Sequence, residues 1–273
     1  MQNRMKIGLA ALTFAALSLV AFRGAGTLPA VAQTDSFNEN QVQSIEKIVK
    51  DYLLKHPEIM LEIQEAYEKK VEGDRVEAAQ ARLPSFYKTL VAMSPQLNAL
   101  SIGSGDVTVV EFFDYNCGYC RKTLPDLVKL IENDPKVKVQ FMEYPILAPE
   151  SIEASKVAIA AAKQGKYFEF HKAMFAAGRA SKESAFKIAE QLGLDMTRLR
   201  ADSDSPETDA LIAKIAELGK QMHIDGTPTF VVGDKTNPGW TRFEELKDLV
   251  GDVRKAGCKF CAAADGAKDE KKS

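Results

Sequence analysis

The sequence predicts an α/β fold with an inserted helical lobe, preceded by a separate helical segment, and three observations carry that prediction. The run Val107-Thr108-Val109-Val110-Glu111-Phe112-Phe113 reads as a buried strand, and the residues after Cys120 carry helical spacing. Val137, Val139, Phe141 and Tyr144 then mark a second strand, so strand, helix and strand form a right-handed parallel crossover. From about residue 149 to 218 only helical runs follow, and strand character returns at Thr229-Phe230-Val231-Val232.

Each element can be justified in chain order. Arg4 and Lys6 precede an uncharged stretch, Ile7 to Phe22, and Ala30-Val31-Ala32 places small residues where a signal peptidase inspects the chain. Residues 1–32 are therefore expected to be a cleavable export signal, with a retained membrane anchor as the alternative. Removing them takes away three basic residues and no acid, moving the formal charge from −2 to −5. Such a chain offers neither nucleic acid nor an anionic membrane an electrostatic footprint.

Residues 33–95 read as a helical oligomerisation segment and connector. Asn38 and Gln41 have capping-box spacing, and Val42, Ile45, Ile48, Val49, Tyr52 and Leu53 recur at helical intervals. His56-Pro57 interrupts that helix, and Ile59, Met60, Ile63, Ala66, Tyr67 and Val71 continue an apolar stripe in a second. The charged stretch Glu72 to Arg82 reads as a solvated helix or hinge. Two short amphipathic helices cannot bury both apolar faces alone, so they must dock on their own domain or, the favoured reading, on copies of themselves.

The main domain is drawn over 96–256, with its helical insertion at about 149–218. Asn133-Asp134-Pro135 turns the chain between the first helix and second strand, and Gly233-Asp234 turns it after the last strong strand. A final helix runs from Arg242 to about Lys255. Residues 257–273 form a tail carrying Cys258-Lys259-Phe260-Cys261, followed by a charged, alanine-rich stretch with no reason to fold.

The chemistry is concentrated at Cys117-Gly118-Tyr119-Cys120, at the junction of strand and helix. A thiol there faces unpaired backbone N–H groups and the positive end of the helix dipole, which stabilise its thiolate. A second cysteine one turn in can resolve a mixed disulfide by intramolecular attack. Half a zinc site or an inert disulfide is the competing reading of such a pair. For Cys258 and Cys261 three readings stay open: a local disulfide, an auxiliary redox pair exchanging with Cys117, and a soft-metal site. The three histidines, His56, His171 and His223, have no metal-ligand spacing, and no cofactor is called for.

Three stretches carry a family resemblance. They are Glu111-Phe112-Phe113-Asp114-Tyr115-Asn116-Cys117-Gly118-Tyr119-Cys120, then Glu143-Tyr144-Pro145-Ile146-Leu147, then Gly226-Thr227-Pro228-Thr229-Phe230-Val231-Val232. Together the chain resembles the DsbA-like thioredoxin superfamily of bacterial periplasmic oxidoreductases. With Tyr52-Leu53-Leu54-Lys55-His56-Pro57-Glu58-Ile59, it looks most like the suppressor-of-copper-sensitivity protein C and Com1-like branch. The resemblance implies a thioredoxin fold, Cys117 as nucleophile, Cys120 as resolving thiol, and Thr227-Pro228 as the family's cis-proline loop. It also implies a periplasmic location, cysteine-containing exported clients, a membrane redox partner that resets the thiols, and a homo-oligomer, dimer or trimer.

Glu111 is the odd residue of its strand, because a carboxylate on a buried face is costly unless paired or protonated. It is read as the proton acceptor for Cys120, with Lys136 or Lys138 as candidate counter-charge, against a merely half-exposed strand residue. The neutral Gly118-Tyr119 pair should stabilise the thiolate less than a cation would, and with Thr before Pro228 it resembles periplasmic isomerases. The expected function is thus thiol–disulfide exchange on proteins, isomerase ahead of oxidase. Alternatives are a copper-binding or copper-stress thiol protein, or an assembly protein with a vestigial redox fold.

Overall fold

The computed structural model describes residues 37–261, so the export-signal reading of 1–32 and the chain beyond Cys261 lie outside the described residues. The chain divides into two units between Leu61 and Glu62. In the first, helix α1 (Glu39–Lys55) opens on the expected capping box: Asn38 Oδ1 accepts from the Gln41 N–H, and Gln41 Oε1 from the Asn38 N–H. It ends at His56, whose N–H reaches the Tyr52 carbonyl. No residue of α1 is buried, and Val42, Ile45, Ile48, Val49, Tyr52 and Leu54 stand exposed.

Helix α2 (Glu58–Ala92) runs without interruption through the charged stretch that could have been a hinge. Its second half belongs to the core of the larger unit: Leu83, Phe86 and Tyr87 are buried, and the Tyr87 hydroxyl donates to the Gly233 carbonyl at 2.7 Å. The core therefore begins ahead of the boundary drawn at residues 95 and 96. Helical propensity and charge mask this, because one side of the helix is solvated while the other packs. Among the described residues no helix is long and apolar enough to cross a membrane.

After a short helix, α3 (Ser94–Leu97), five strands form one sheet: β1 (Ser101–Ile102), β2 (Val107–Phe113), β3 (Val137–Glu143), β4 (Thr229–Val232) and β5 (Lys235–Pro238). Their order is β1-β3-β2-β4-β5. β2 and β3 pair in parallel, as the crossover through α4 (Gly118–Asn133) requires, and the other neighbours pair antiparallel. Central β2 is covered on both faces, so Val110 and Phe112 are as buried as Val109 and Phe113. The insertion consists of α5 (Pro149–Ala162), α6 (Tyr167–Ala176), α7 (Lys182–Gln191), α8 (Met196–Ser203) and α9 (Pro206–Gln221), and α10 (Phe243–Ala256) closes the domain. Gly219 in α9 lies so close to the Tyr144 ring that a Cβ would sit 2.5 Å from it. That approach lets the Tyr144 hydroxyl donate to the Ile224 carbonyl, holding the chain that leads into Thr227-Pro228.

Candidate active site

Cys117 is the N-cap of α4, and its Sγ accepts the backbone N–H of Cys120 at 3.4 Å. As a thiol it donates to the Thr227 carbonyl at 3.1 Å. The peptide bond between Thr227 and Pro228 is cis, and the loop faces the thiols from the N-terminal end of β4. Cys117, Cys120, Thr227 and Pro228, four residues picked from separate stretches of sequence, are thus brought together.

The two thiols are electrostatically unlike. Hydrogen bonding from the Cys120 thiol, supported by Thr227 and the Cys120 and Tyr119 amides, outweighs burial and lowers Cys117 from its ordinary 9.0 to about 6. Cys120 is pushed strongly upward, first by burial, then by its hydrogen bond to Cys117 and the negative charge of Glu111. Cys117 is the more accessible, though only 5% exposed against 1% for Cys120. One sulfur is therefore anionic at neutral pH and the other holds its proton.

Glu111 lies in mid-β2 and is only 2% exposed, which rules out the half-exposed reading. Burial first, then the negative charges of Cys117 and Glu143, push its carboxyl well above the ordinary carboxylate range. Neither Lys136 nor Lys138 is its counter-charge. The register sets Lys138 opposite Thr108, three residues or roughly 10 Å along the strand from Glu111, and its Nζ donates to Asn98 instead.

Sequence reasoning missed the residues that hold the site against the helical lobe. The buried Asp114 carboxylate accepts from the N–H groups of Asn116, Ile146 and Leu147 and from the Ser151 hydroxyl, at 2.7–2.9 Å. Asn116 in turn bridges Ser151 and both backbone groups of Ala180. Behind them, Glu143 is fully buried and accepts from the Tyr115 and Tyr167 hydroxyls, while Tyr115 also meets His171 Nδ1. Burial raises Glu143 to about 8 against those hydrogen bonds and lowers His171 to about 3. The available signal was an acid at the end of each apolar strand, Asp114 after Phe113 and Glu143 after Met142.

Cys258 and Cys261 form a local disulfide with Cα atoms 5.3 Å apart. The turn is fastened to Asp234, which accepts from the Lys259 and Phe260 amides. β4 sets Thr229 beside Phe112 and Val232 beside Val109, so Asp234 and this disulfide lie at the far end of the sheet from Cys117, beyond a strand of roughly 13 Å. In this arrangement the disulfide is out of contact with Cys117 of the same chain. Among the described residues no cluster of three metal-ligating side chains occurs.

A family model described as the DSBA-like thioredoxin domain matches residues 108–251, more than half the chain, including Cys117, Cys120, Thr227, Pro228 and Glu111 but not the Cys258–Cys261 disulfide. The chain belongs to that family. A second model, the copper resistance protein ScsC N-terminal domain, matches residues 41–72. Among solved structures, a thioredoxin-like oxidoreductase from Silicibacter pomeroyi is 40% identical over 58% of this chain and 97% of its own, with a TM-score of 0.55. A linker-deleted ScsC from Proteus mirabilis shares the fold at 22% identity and TM-score 0.56, over 82% of this chain and 99% of its own. The chain spans about a fifth of the length of the first curated relatives it matches: with the Na(+)/H(+) antiporter NhaA 3 of Salinispora tropica it is 29% identical over 147 residues, 53% of this chain and 22% of that protein.

Proposed function

We propose that this chain is an exported thiol–disulfide oxidoreductase acting on cysteine-containing proteins, with isomerisation of wrong disulfides favoured over oxidation of dithiols. The observation that carries the reading is the asymmetry of the two thiols, an anionic Cys117 at the mouth of α4 beside a protonated, buried Cys120. The Cys117 thiolate attacks a client disulfide, one client sulfur leaves as thiolate, and a mixed disulfide forms. A different client thiolate then attacks the client sulfur of that mixed disulfide, forming a new client disulfide and expelling Cys117 as thiolate. Otherwise Cys120 resolves: Glu111 first releases its own proton to solvent and then takes the Cys120 proton, while the Cys120 sulfur attacks Cys117 and the client sulfur leaves as thiolate. Glu111 suits that role because forming the mixed disulfide removes the Cys117 charge, one of the causes that keep its carboxyl protonated. Thr227-Pro228 would present backbone to the client, and a membrane partner would reset the thiols.

The exposed apolar residues of α1 and the match to an ScsC N-terminal domain support a homo-oligomer, and the family resemblance supports a periplasmic location. Refolding of a scrambled-disulfide protein tests the function. The purified reduced protein should restore native pairing and Cys117→Ser should not, while alkylation trapping in cells should find Cys117 mostly reduced. No turnover, or a fully oxidised pool, would defeat the isomerase assignment. The second reading, Cu(I) binding, is favoured by two sulfurs within hydrogen-bonding reach of each other, and competition of the reduced protein against a Cu(I) chelator tests it.

A further inference from the structure

A groove of about 610 Å³ opens beside the cis-proline loop, a size typical of ligand sites. Thr227 and Pro228 lie in its lining, Pro238 of β5 lines it too, and α2 contributes Arg75 and Arg82. Arg82 is half-buried, forms no ion pair among the described residues, and its guanidinium donates to His223 Nδ1 at 3.3 Å. Arginine can only donate, so the ring nitrogen orients the guanidinium without a carboxylate to neutralise it. Asp225 is the acid of the lining, set against two arginines. The Thr227 N–H makes no hydrogen bond among the described residues, which leaves backbone free for an added strand.

Resting on the oxidoreductase reading, the geometry points to an acid-selecting client subsite: the groove takes a client segment with Asp or Glu within a few residues of the reacting cysteine, and Arg82, with Arg75 farther out, recognises that carboxylate. A client sulfur joined to Cys117 puts its backbone against Thr227, and the chain leaving that point enters the space between β5 and α2. Arginine is suited to this task, because its planar fork matches a carboxylate and stays charged throughout the working pH range. The helix that links the N-terminal segment to the domain thereby becomes part of the substrate site.

The test uses the full chain and three disulfide-bonded peptides alike except for Glu, Gln or Lys flanking the cysteine. Single-turnover exchange should run about threefold faster for Glu than for Gln, slower again for Lys, and the spread should shrink in 0.5 M salt at roughly constant Gln rate. Arg82→Gln should bring the Glu-to-Gln ratio toward one, and Arg82→Lys should keep most of it. Equal rates for all three peptides, or a preference unchanged in Arg82→Gln, would overturn the subsite while leaving the oxidoreductase reading intact. Exchange with none of them would overturn both.

Discussion

At the residue scale, the site turns on which proton is held where. Cys117 titrates near 6 in the folded, reduced protein, so alkylation should be half-maximal near that pH and be lost in Cys117→Ser, while Cys120 stays unreactive until the protein unfolds. Cys120 reacting first would reverse the assignment. The same shift has a thermodynamic side. A folded pKa depressed below the unfolded value gives stability that is present above the unfolded value, here the ordinary 9.0, and is lost as pH falls through about 6. Unfolding of the reduced protein between pH 8 and 5 should show this loss, and Cys117→Ser should not. Glu111→Gln keeps the volume but cannot accept the Cys120 proton, so resolution should slow by about a hundredfold and mixed disulfides should accumulate. An unchanged resolution rate would leave Glu111 as a buried strand residue without a catalytic part.

At the element scale, Asp114 ties the end of β2 to the segment entering α5, and its removal strands several buried donors. Asp114→Ala should destabilise the domain by about 3 kcal/mol and slow exchange through a loosened Cys117 turn, measurable by denaturant unfolding and by alkylation rate. Full activity at wild-type stability would refute a positioning role. Those contacts also mark where sequence reading stops. β2, β3, β4 and the thiol helix were legible because apolar runs and turn residues are local signals. β1 is two residues long and β5, Lys235–Pro238, is largely solvated, so neither carries a periodic pattern and both exist through pairing with neighbours. Cys117 and Pro228 were legible as motifs, and Glu111 as a polar residue in an apolar run. Asp114, Asn116 and Ser151 were not, since their roles depend on packing between β2, the loop after β3 and the helical lobe. Lys138 failed as a partner for Glu111 for the same reason: register, not composition, decides which residues meet.

At the scale of the whole molecule, the apolar surface of the N-terminal unit is the outstanding physical debt. Ile48, Tyr52, Leu54, Met60 and Leu61 are each more than half exposed, and a shallow apolar hollow on α1 is lined by Ile45, Val49, Leu53 and Leu54. Single exposed hydrophobes are ordinary, but a continuous stripe costs roughly 25 cal/mol for every Å² left in water. A closed symmetric dimer or trimer would remove that cost, whereas open pairing would make fibres. Several thiol sites around a shared cleft would also let one client be engaged at more than one cysteine, raising the effective concentration of the second encounter, as isomerisation of a misfolded chain demands. The double substitution Ile45→Glu with Val49→Glu places charge on this stripe, in a unit that carries none of the thiol-site residues. Light scattering should find an oligomer for the parent and a monomer for the variant. The variant should keep its Cys117 titration and dithiol oxidation, and lose most of its activity on scrambled disulfides. A parent that is monomeric at micromolar concentration would remove the main physical support for isomerisation. A monomeric variant that still isomerises would show that a single thiol site is sufficient.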